Sequence, residues 1–298
     1  MKVFVTGATG FVGSVIVEEL NRHGHQVTGL ARSPESAEKL KRQGASVHLG
    51  SLEDLESLKS GAKNVDGVIH CAFNHDFSKF AENGQAEKRA IEAIGQTLKG
   101  SSRPLVVTSG VALLAPGGLA VEADSRPADS PIPRDPETVA LAFANHGVRA
   151  MIVRLSPTTH GNGEGGFAGL LAGIAREKGV SAYIGKGENR WPAVHHRDAA
   201  QIFRLALEKG TTGAKYHAVA EQGVSTKEIA TAIGEALRIP IVSVSTDEAA
   251  AHFGWFKDFA MMDCLASSEQ TKANLSWKPT HLGLIADLKS GLKPERET

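Results

Sequence analysis

The first 22 residues of this chain constrain its fold more than any other segment. Residues 2–6 form a short β-branched and aromatic run. The run Thr6-Gly7-Ala8-Thr9-Gly10-Phe11-Val12-Gly13 follows, and residues 11–22 carry apolar side chains at helical spacing before Gly24. This order reads as strand, glycine turn, helix. Such a turn lets the backbone approach a phosphate closely, and the helix behind it presents unpaired N–H groups at the positive end of its dipole. Gly7, Gly10 and Gly13 stand where that geometry favours the absence of a Cβ. Together with Thr9, Phe11 and Val12 they form the expected pyrophosphate site of a dinucleotide. A bare glycine triplet is equally a tight turn; its place at the head of several βα units gives it this meaning.

The pattern repeats for about 110 residues, with strands expected at 27–31, 46–49, 67–72 and 104–108 and helices at 33–43, 52–58 and 80–98. Alternation of this kind builds a parallel sheet, so the fold class is α/β, a Rossmann-type doubly wound sheet. Residues 115–136 are rich in Pro, Gly, Ala and Asp without periodicity and read as a long loop beside the carboxyl ends of the strands. A helix at 137–145 and a strand at 148–154 return the chain to the sheet, and a glycine-rich stretch at 161–169 looks like a mobile cover. The expected division is a cofactor domain at 1–157, with returning segments at about 190–220, and a smaller substrate lobe at 158–298. Within the lobe, residues 227–237 read as a helix capped at Ser225 or Thr226.

Composition narrows the partners. Thirty-three basic and 33 acidic residues among 298 leave no net charge, so nucleic acid and anionic membrane surfaces are not expected partners and a small molecule is. Cys71 and Cys264 lie far apart, which fits a reducing compartment and argues against a cysteine metal site. The N-terminus has no apolar run of signal-peptide length and no later stretch is apolar enough for a bilayer, so a cytoplasmic monomer or homodimer is expected.

The second strand ends in Ala31-Arg32-Ser33. An acid there would accept hydrogen bonds from a ribose 2′-OH and repel a 2′-phosphate. Arg32 instead can fork onto phosphate and Ser33 can donate to it, which points to NADP(H).

The glycine run resembles the motif of the extended short-chain dehydrogenases/reductases, which include the NAD(P)-dependent epimerases and dehydratases. Val68-Ile69-His70-Cys71-Ala72 resembles their fourth strand, Val106-Val107-Thr108-Ser109-Gly110 their fifth, and Arg154-Leu155-Ser156-Pro157 the segment passing the nicotinamide. Val194-His195-His196-Arg197-Asp198 resembles the return to the core domain. The resemblance implies cofactor contacts at Leu52, Ala72, Phe73, Thr108 and Pro157. It also exposes a departure. The family's catalytic tyrosine, with a lysine four residues on, is absent: the only tyrosines are Tyr183 and Tyr216, and Arg134 and Thr138 have the spacing of the missing pair. This is similar to the atypical branch that keeps the cofactor site and loses both residues.

Hydride transfer to a carbonyl needs a donor at the oxygen. Ser109 is one candidate, against a strand-end serine tied to backbone. Glu137 is a candidate for the ribose hydroxyls, against a helix N-terminal carboxylate, and Arg134 for orienting substrate, against a solvated loop charge. His195 and His196 read as a join between lobes rather than a metal site, and no metal is expected. His75, Asp76, His160, Trp191, Phe253, Trp255 and Phe256 are possible pocket walls, the aromatics being equally explained as lobe core. The expected activity is NADP(H)-dependent oxidoreduction of a small carbonyl or alcohol. The alternatives are a catalytically silent NADP(H) sensor and an epimerase or dehydratase that retains its cofactor.

Overall fold

The computed structural model describes residues 1–294 apart from 113, 116, 128, 129 and 131. Its first half runs β1 (Lys2–Thr6), α1 (Phe11–Arg22), β2 (Gln26–Ala31), α2 (Pro34–Arg42), β3 (Ser46–Leu49), α3 (Leu55–Lys63), β4 (Gly67–His70), α4 (Phe80–Leu98) and β5 (Pro104–Gly110). The long loop after β5 contains a two-residue strand, β6 (Leu119–Ala120), and ends at α5 (Pro136–Ala142), which leads to β7 (Arg149–Leu155). Then follow β8 (Thr158–His160), α6 (Gly166–Lys178), β9 (Ser181–Ile184), β10 (Arg190–His195), α7 (His196–Lys209) and β11 (Lys215–Ala218). The chain finishes with β12 (Glu221–Ser225), α8 (Thr226–Leu237), β13 (Ile241–Val244), α9 (Ala249–Phe253), α10 (Lys257–Met261), β14 (Leu265–Ala266), α11 (Glu269–Leu275) and α12 (Leu284–Gly291).

Seven strands pair in the order β11-β7-β5-β4-β1-β2-β3, all parallel. The strand order reverses at β1, so the crevice beyond the carboxyl ends of β1 and β4 is where a ligand has room to sit between crossover connections that leave in opposite directions. Helices cover both faces, as the doubly wound class requires. On one face Ile16 and Leu20 of α1 meet Phe203 and Leu207 of α7; on the other Leu58 of α3 packs with Ile91 and Ile94 of α4. Phe203 is fully buried, and a side chain of that size contributes about 2–3 kcal/mol by leaving water. A separate cluster built on Trp191, Phe253, Phe256 and Leu284 holds α6, α8 and α12 together beside the small sheets β12-β10-β8 and β13-β9.

Local signals explain most element boundaries. Ser33 caps α2 with a reciprocal bond to Ser36, and Pro34 opens the helix; Ser225 and Glu228 form the same box on α8. Two expectations shift. The helix expected at 52–58 begins at Leu55, because Asp54 accepts from the Ser57 N–H at 3.0 Å and thereby sets the first turn. Residues 50–53 are left free to border the crevice. The stretch expected as a mobile cover is pinned: the Asn162 and Gly163 amides both donate to Asp287 of α12, at 2.9 and 3.0 Å, and α6 starts at Gly166. Among the described residues no helix is long and apolar enough to cross a membrane.

Candidate functional site

A cleft of about 840 Å³ follows the carboxyl ends of the central strands from the glycine turn to the second buried cluster. Gly7, Thr9, Gly10, Phe11, Val12 and Gly13 line one end. Gly7 has φ +67°, and a Cβ on it would stand 2.7 Å from the Ala72 backbone nitrogen. A Cβ on Gly13 would collide with the Gly7 carbonyl oxygen. The turn is therefore folded tightly enough that only glycine fits. Gly10 precedes α1 without a side-chain cap, and no acid stands in the first turn, so amides at this helix start stay available to an anion. Phe11 packs against His196 at 4.7 Å, tying the turn to α7.

At the end of β2, exposed Arg32 lines the cleft and Ser33 does not. The Ser33 hydroxyl is engaged in capping α2, where it accepts from the Ser36 N–H at 3.2 Å, and Ser36 is the serine that borders the cleft. This corrects the expectation for Ser33: its side chain is turned into the α2 cap, with Oγ 3.1 Å from Ser36 Oγ, and stands outside the cleft wall. Lys39, one turn along α2, donates to the Thr9 carbonyl at 2.7 Å and brings a second cation beside the glycine turn. Leu52, with Gly50, Ser51 and Glu53, forms the neighbouring wall.

Ala72 and Phe73 after β4, Thr108 and Ser109 at the end of β5, and Pro157 after β7 line the middle of the cleft. The Thr108 hydroxyl is buried with no partner among the described residues. Ser109 Oγ likewise makes no hydrogen bond to a described residue. His70, whose Nδ1 lies 2.9 Å from Thr6 Oγ1, is pushed down to about 3 by burial and by the Arg134 charge, so it is neutral. Burial pushes the Cys71 thiol up to about 12, which leaves it unreactive.

Arg134 is not a solvated loop charge. Its Nε and Nη2 bind the Glu87 carboxylate at 2.7 and 2.6 Å, Nη2 also approaches the Thr108 carbonyl at 3.3 Å, and the guanidinium lies 4.5 Å over the Phe73 ring. Glu87, on the buried face of α4, has its carboxyl raised by burial, a shift that the Arg134 charge opposes. A charged residue among Asn83, Ala90, Ile91 and Ile94 on one helix face was the sequence signal for this partner.

Glu137 is placed elsewhere. Its two oxygens bind Arg154 at 2.8 and 2.6 Å, and Arg154, fully buried, also donates to His217 Nε2 at 3.1 Å and to the Asp124 carbonyl at 2.8 Å. This network anchors the loop before α5 beneath β7 and does not line the cleft, which withdraws Glu137 as a ribose ligand: the buried guanidinium needs its charge. Tyr183 and Tyr216 do not line the cleft either, and the Tyr216 hydroxyl accepts from the Thr211 amide. Among the pocket-wall candidates, His75 and Trp255 reach the cleft. His160, Trp191, Phe253 and Phe256 are buried away from it, and Asp76 caps the short turn at Phe77–Lys79. His195 stacks on His281 at 4.6 Å, and His281 in turn binds Asp198 of α7. Among the described residues no group of acids, histidines and cysteines is placed to hold a metal.

The family model described as NAD(P)H-binding matches residues 7–166. A protein of Schizosaccharomyces pombe, itself uncharacterised, is 52% identical over 291 residues, covering 97% of this chain and 99% of its own length. The decarboxylating sterol-4-alpha-carboxylate 3-dehydrogenase of Dictyostelium discoideum is 26% identical over 249 residues, 77% of this chain and 74% of its own. The solved UDP-glucose 4-epimerase of Thermotoga maritima shares the fold, with a TM-score of 0.78 over 98% of this chain and 97% of its own at 18% identity. With its glycine cradle, parallel sheet and these relatives, the chain belongs to the NAD(P)H-binding family and to the extended short-chain dehydrogenase/reductase superfamily.

Proposed function

We propose that the protein is an NADP(H)-dependent oxidoreductase that interconverts a small carbonyl compound and its alcohol. One observation carries this reading: Ser109 Oγ and Arg134 Nη1 are hydrogen-bond donors with no partner among the described residues, on two residues that line the same part of the cleft, with the rest of the Arg134 fork locked by Glu87. The cradle of Gly7 and Gly13 and the unsatisfied Thr108 hydroxyl fit a dinucleotide. Preference for the phosphorylated form follows from the absence of an acid at the end of β2 and the presence there of Arg32, with Lys39 beside it.

The nicotinamide, when bound, supplies or takes up the hydride. Reduction builds negative charge on the substrate oxygen, and fixed donors beside it stabilise that charge without reorganising. Arg134 takes the electrostatic part, held from one side by Glu87 and from its face by Phe73. Ser109 supplies the proton: an alkoxide is basic enough to accept it, and Oγ regains one from water at the cleft mouth.

The test is NADPH oxidation, followed by absorbance, with a panel of aldehydes, ketones and activated alkenes, alongside NADH. Oxidation of NADPH by a carbonyl compound, lowered in kcat by Ser109→Ala, is the expected result. Tight NADPH binding without oxidation by any member would instead mark a protein that only binds the cofactor.

A further inference from the structure

Beyond Ser109 the cleft is roofed by aromatic side chains in unbroken contact. Starting from Phe73 under the Arg134 guanidinium, Phe73 meets Phe80 at 5.7 Å, Phe80 stacks on Phe77 at 5.9 Å and 15°, and Phe77 stacks on Trp255 at 4.8 Å and 24°. The last contact joins two separate parts of the chain. Phe77 lies in the short turn Phe77–Lys79 before α4, and Trp255 in the turn Gly254–Phe256 between α9 and α10. Trp191 and Trp277 are buried, whereas Trp255 is 57% exposed. A large apolar ring left that accessible at a cleft mouth gains contact area when a ligand covers it.

The charge balance at this end is as distinctive as its shape. Among the described lining residues the only fixed charges there are Glu87 and Arg134, and they neutralise each other. His75 is neutral at pH 7, since burial and the Arg134 charge both push its imidazole below its ordinary value. Binding a diphosphate takes unpaired Arg or Lys side chains or free helix amides. The first turn of α6 borders this end; its Phe167 N–H is given to the Pro157 carbonyl at 2.8 Å, and the Phe167 ring stands in the wall between that turn and the Phe77–Trp255 pair.

We propose that the substrate is an uncharged, planar carbonyl compound, an aromatic or conjugated ketone or aldehyde, whose ring lies under the Phe77–Trp255 roof with its oxygen toward Ser109 and Arg134. A nucleotide sugar, the ligand in the solved epimerase of similar fold, finds no basic side chain at this end beyond the Glu87-paired Arg134 among the described lining residues. The proposal deepens the oxidoreductase reading and rests on it for the reaction, but binding tests it separately. The full chain is loaded with NADP+, so that the ketones cannot be reduced, and titrated calorimetrically with 2-acetylnaphthalene, with 9-fluorenone and with UDP-glucose. At least one ketone binds and UDP-glucose does not. Trp255→Ala and Phe77→Ala each weaken the ketone roughly tenfold with NADP+ affinity unchanged, and Trp255→Phe restores most of the loss. Binding of neither ketone, tighter binding of UDP-glucose, or indifference to both alanine variants overturns the proposal. A ketone that binds through Trp255 yet is not reduced by NADPH upholds the substrate class and refutes hydride transfer. NADP+ reduction by UDP-glucose, with neither ketone turned over by NADPH, refutes the class and upholds hydride transfer.

Discussion

Replacing Arg134 by Met removes a charge whose partner cannot follow it into water. Glu87 is 3% exposed and receives both of its hydrogen bonds to Arg134 at 2.7 Å or less. Truncating one member of a buried ion pair costs about 3–5 kcal/mol, because the other charge is left uncompensated. The Arg134 side chain retains 19% exposure, so solvent screens part of the interaction and the lower end, about 3 kcal/mol, is expected. Glu87→Gln leaves a guanidinium that can lean toward the cleft water and should cost less, about 1–2 kcal/mol. The double variant carries no orphaned charge. It should be no less stable than Arg134→Met alone, which makes the coupling energy at least about 1–2 kcal/mol. Urea unfolding of the four proteins at pH 7 measures the cycle.

The pH dependence gives a second reading of the same pair. Burial already raises the Glu87 carboxyl, and loss of Arg134 raises it further. The folded variant then binds a proton at a pH where the unfolded chain does not. Its deficit is therefore largest at pH 7 and shrinks as pH falls toward the ordinary carboxylate range. Additive single variants, or a deficit independent of pH, would refute the reasoning. In the reductase assay the same substitution should lower kcat/KM about 100-fold with the NADPH Kd little changed, the loss expected for one oxyanion donor.

Arg32→Asp should weaken NADPH binding about 10- to 100-fold and NADH binding little, measured by fluorescence titration; equal losses would show that Arg32 does not read the 2′-phosphate. Glu137→Gln orphans the fully buried Arg154 and should cost about 3 kcal/mol in urea unfolding while KM for NADPH stays constant at temperatures where the variant is folded. A raised NADPH KM there would return Glu137 to the cofactor site. His195 and His196 are both pushed down to about 4 from an ordinary 6.5, chiefly by burial, so they are neutral in the folded protein. As pH falls from 6.5 toward 4 the unfolded chain takes up protons that the folded one refuses, and Tm should fall through that window and level off below it. Their replacement by Gln should flatten that part of the Tm profile.

Much of this protein is written locally. The glycine turn, the cap of α8 and the alternation of strand and helix depend on residues within a few positions of one another, so periodicity and capping were enough to place the sheet, the cofactor end and Arg32. Arg134 was found by an absence, the missing tyrosine, but its meaning was not: Glu87 lies 47 residues away on α4, and only the packing of that helix brings the two together. Glu137 stands away from the cleft for the same reason: it is consumed by the buried guanidinium of Arg154 on β7, 17 residues on, a partner that local pattern cannot weigh. Ser33 differs, because its partner in the α2 cap is Ser36, three residues away, a local signal that competes with the phosphate reading. The Phe77–Trp255 roof joins turns that are remote in sequence. Neighbouring residues specify backbone geometry through short-range sterics and hydrogen bonds. Which side chains share a dry cavity, and so how their charges and hydroxyls are spent, depends on contacts that exist only once the layers have packed.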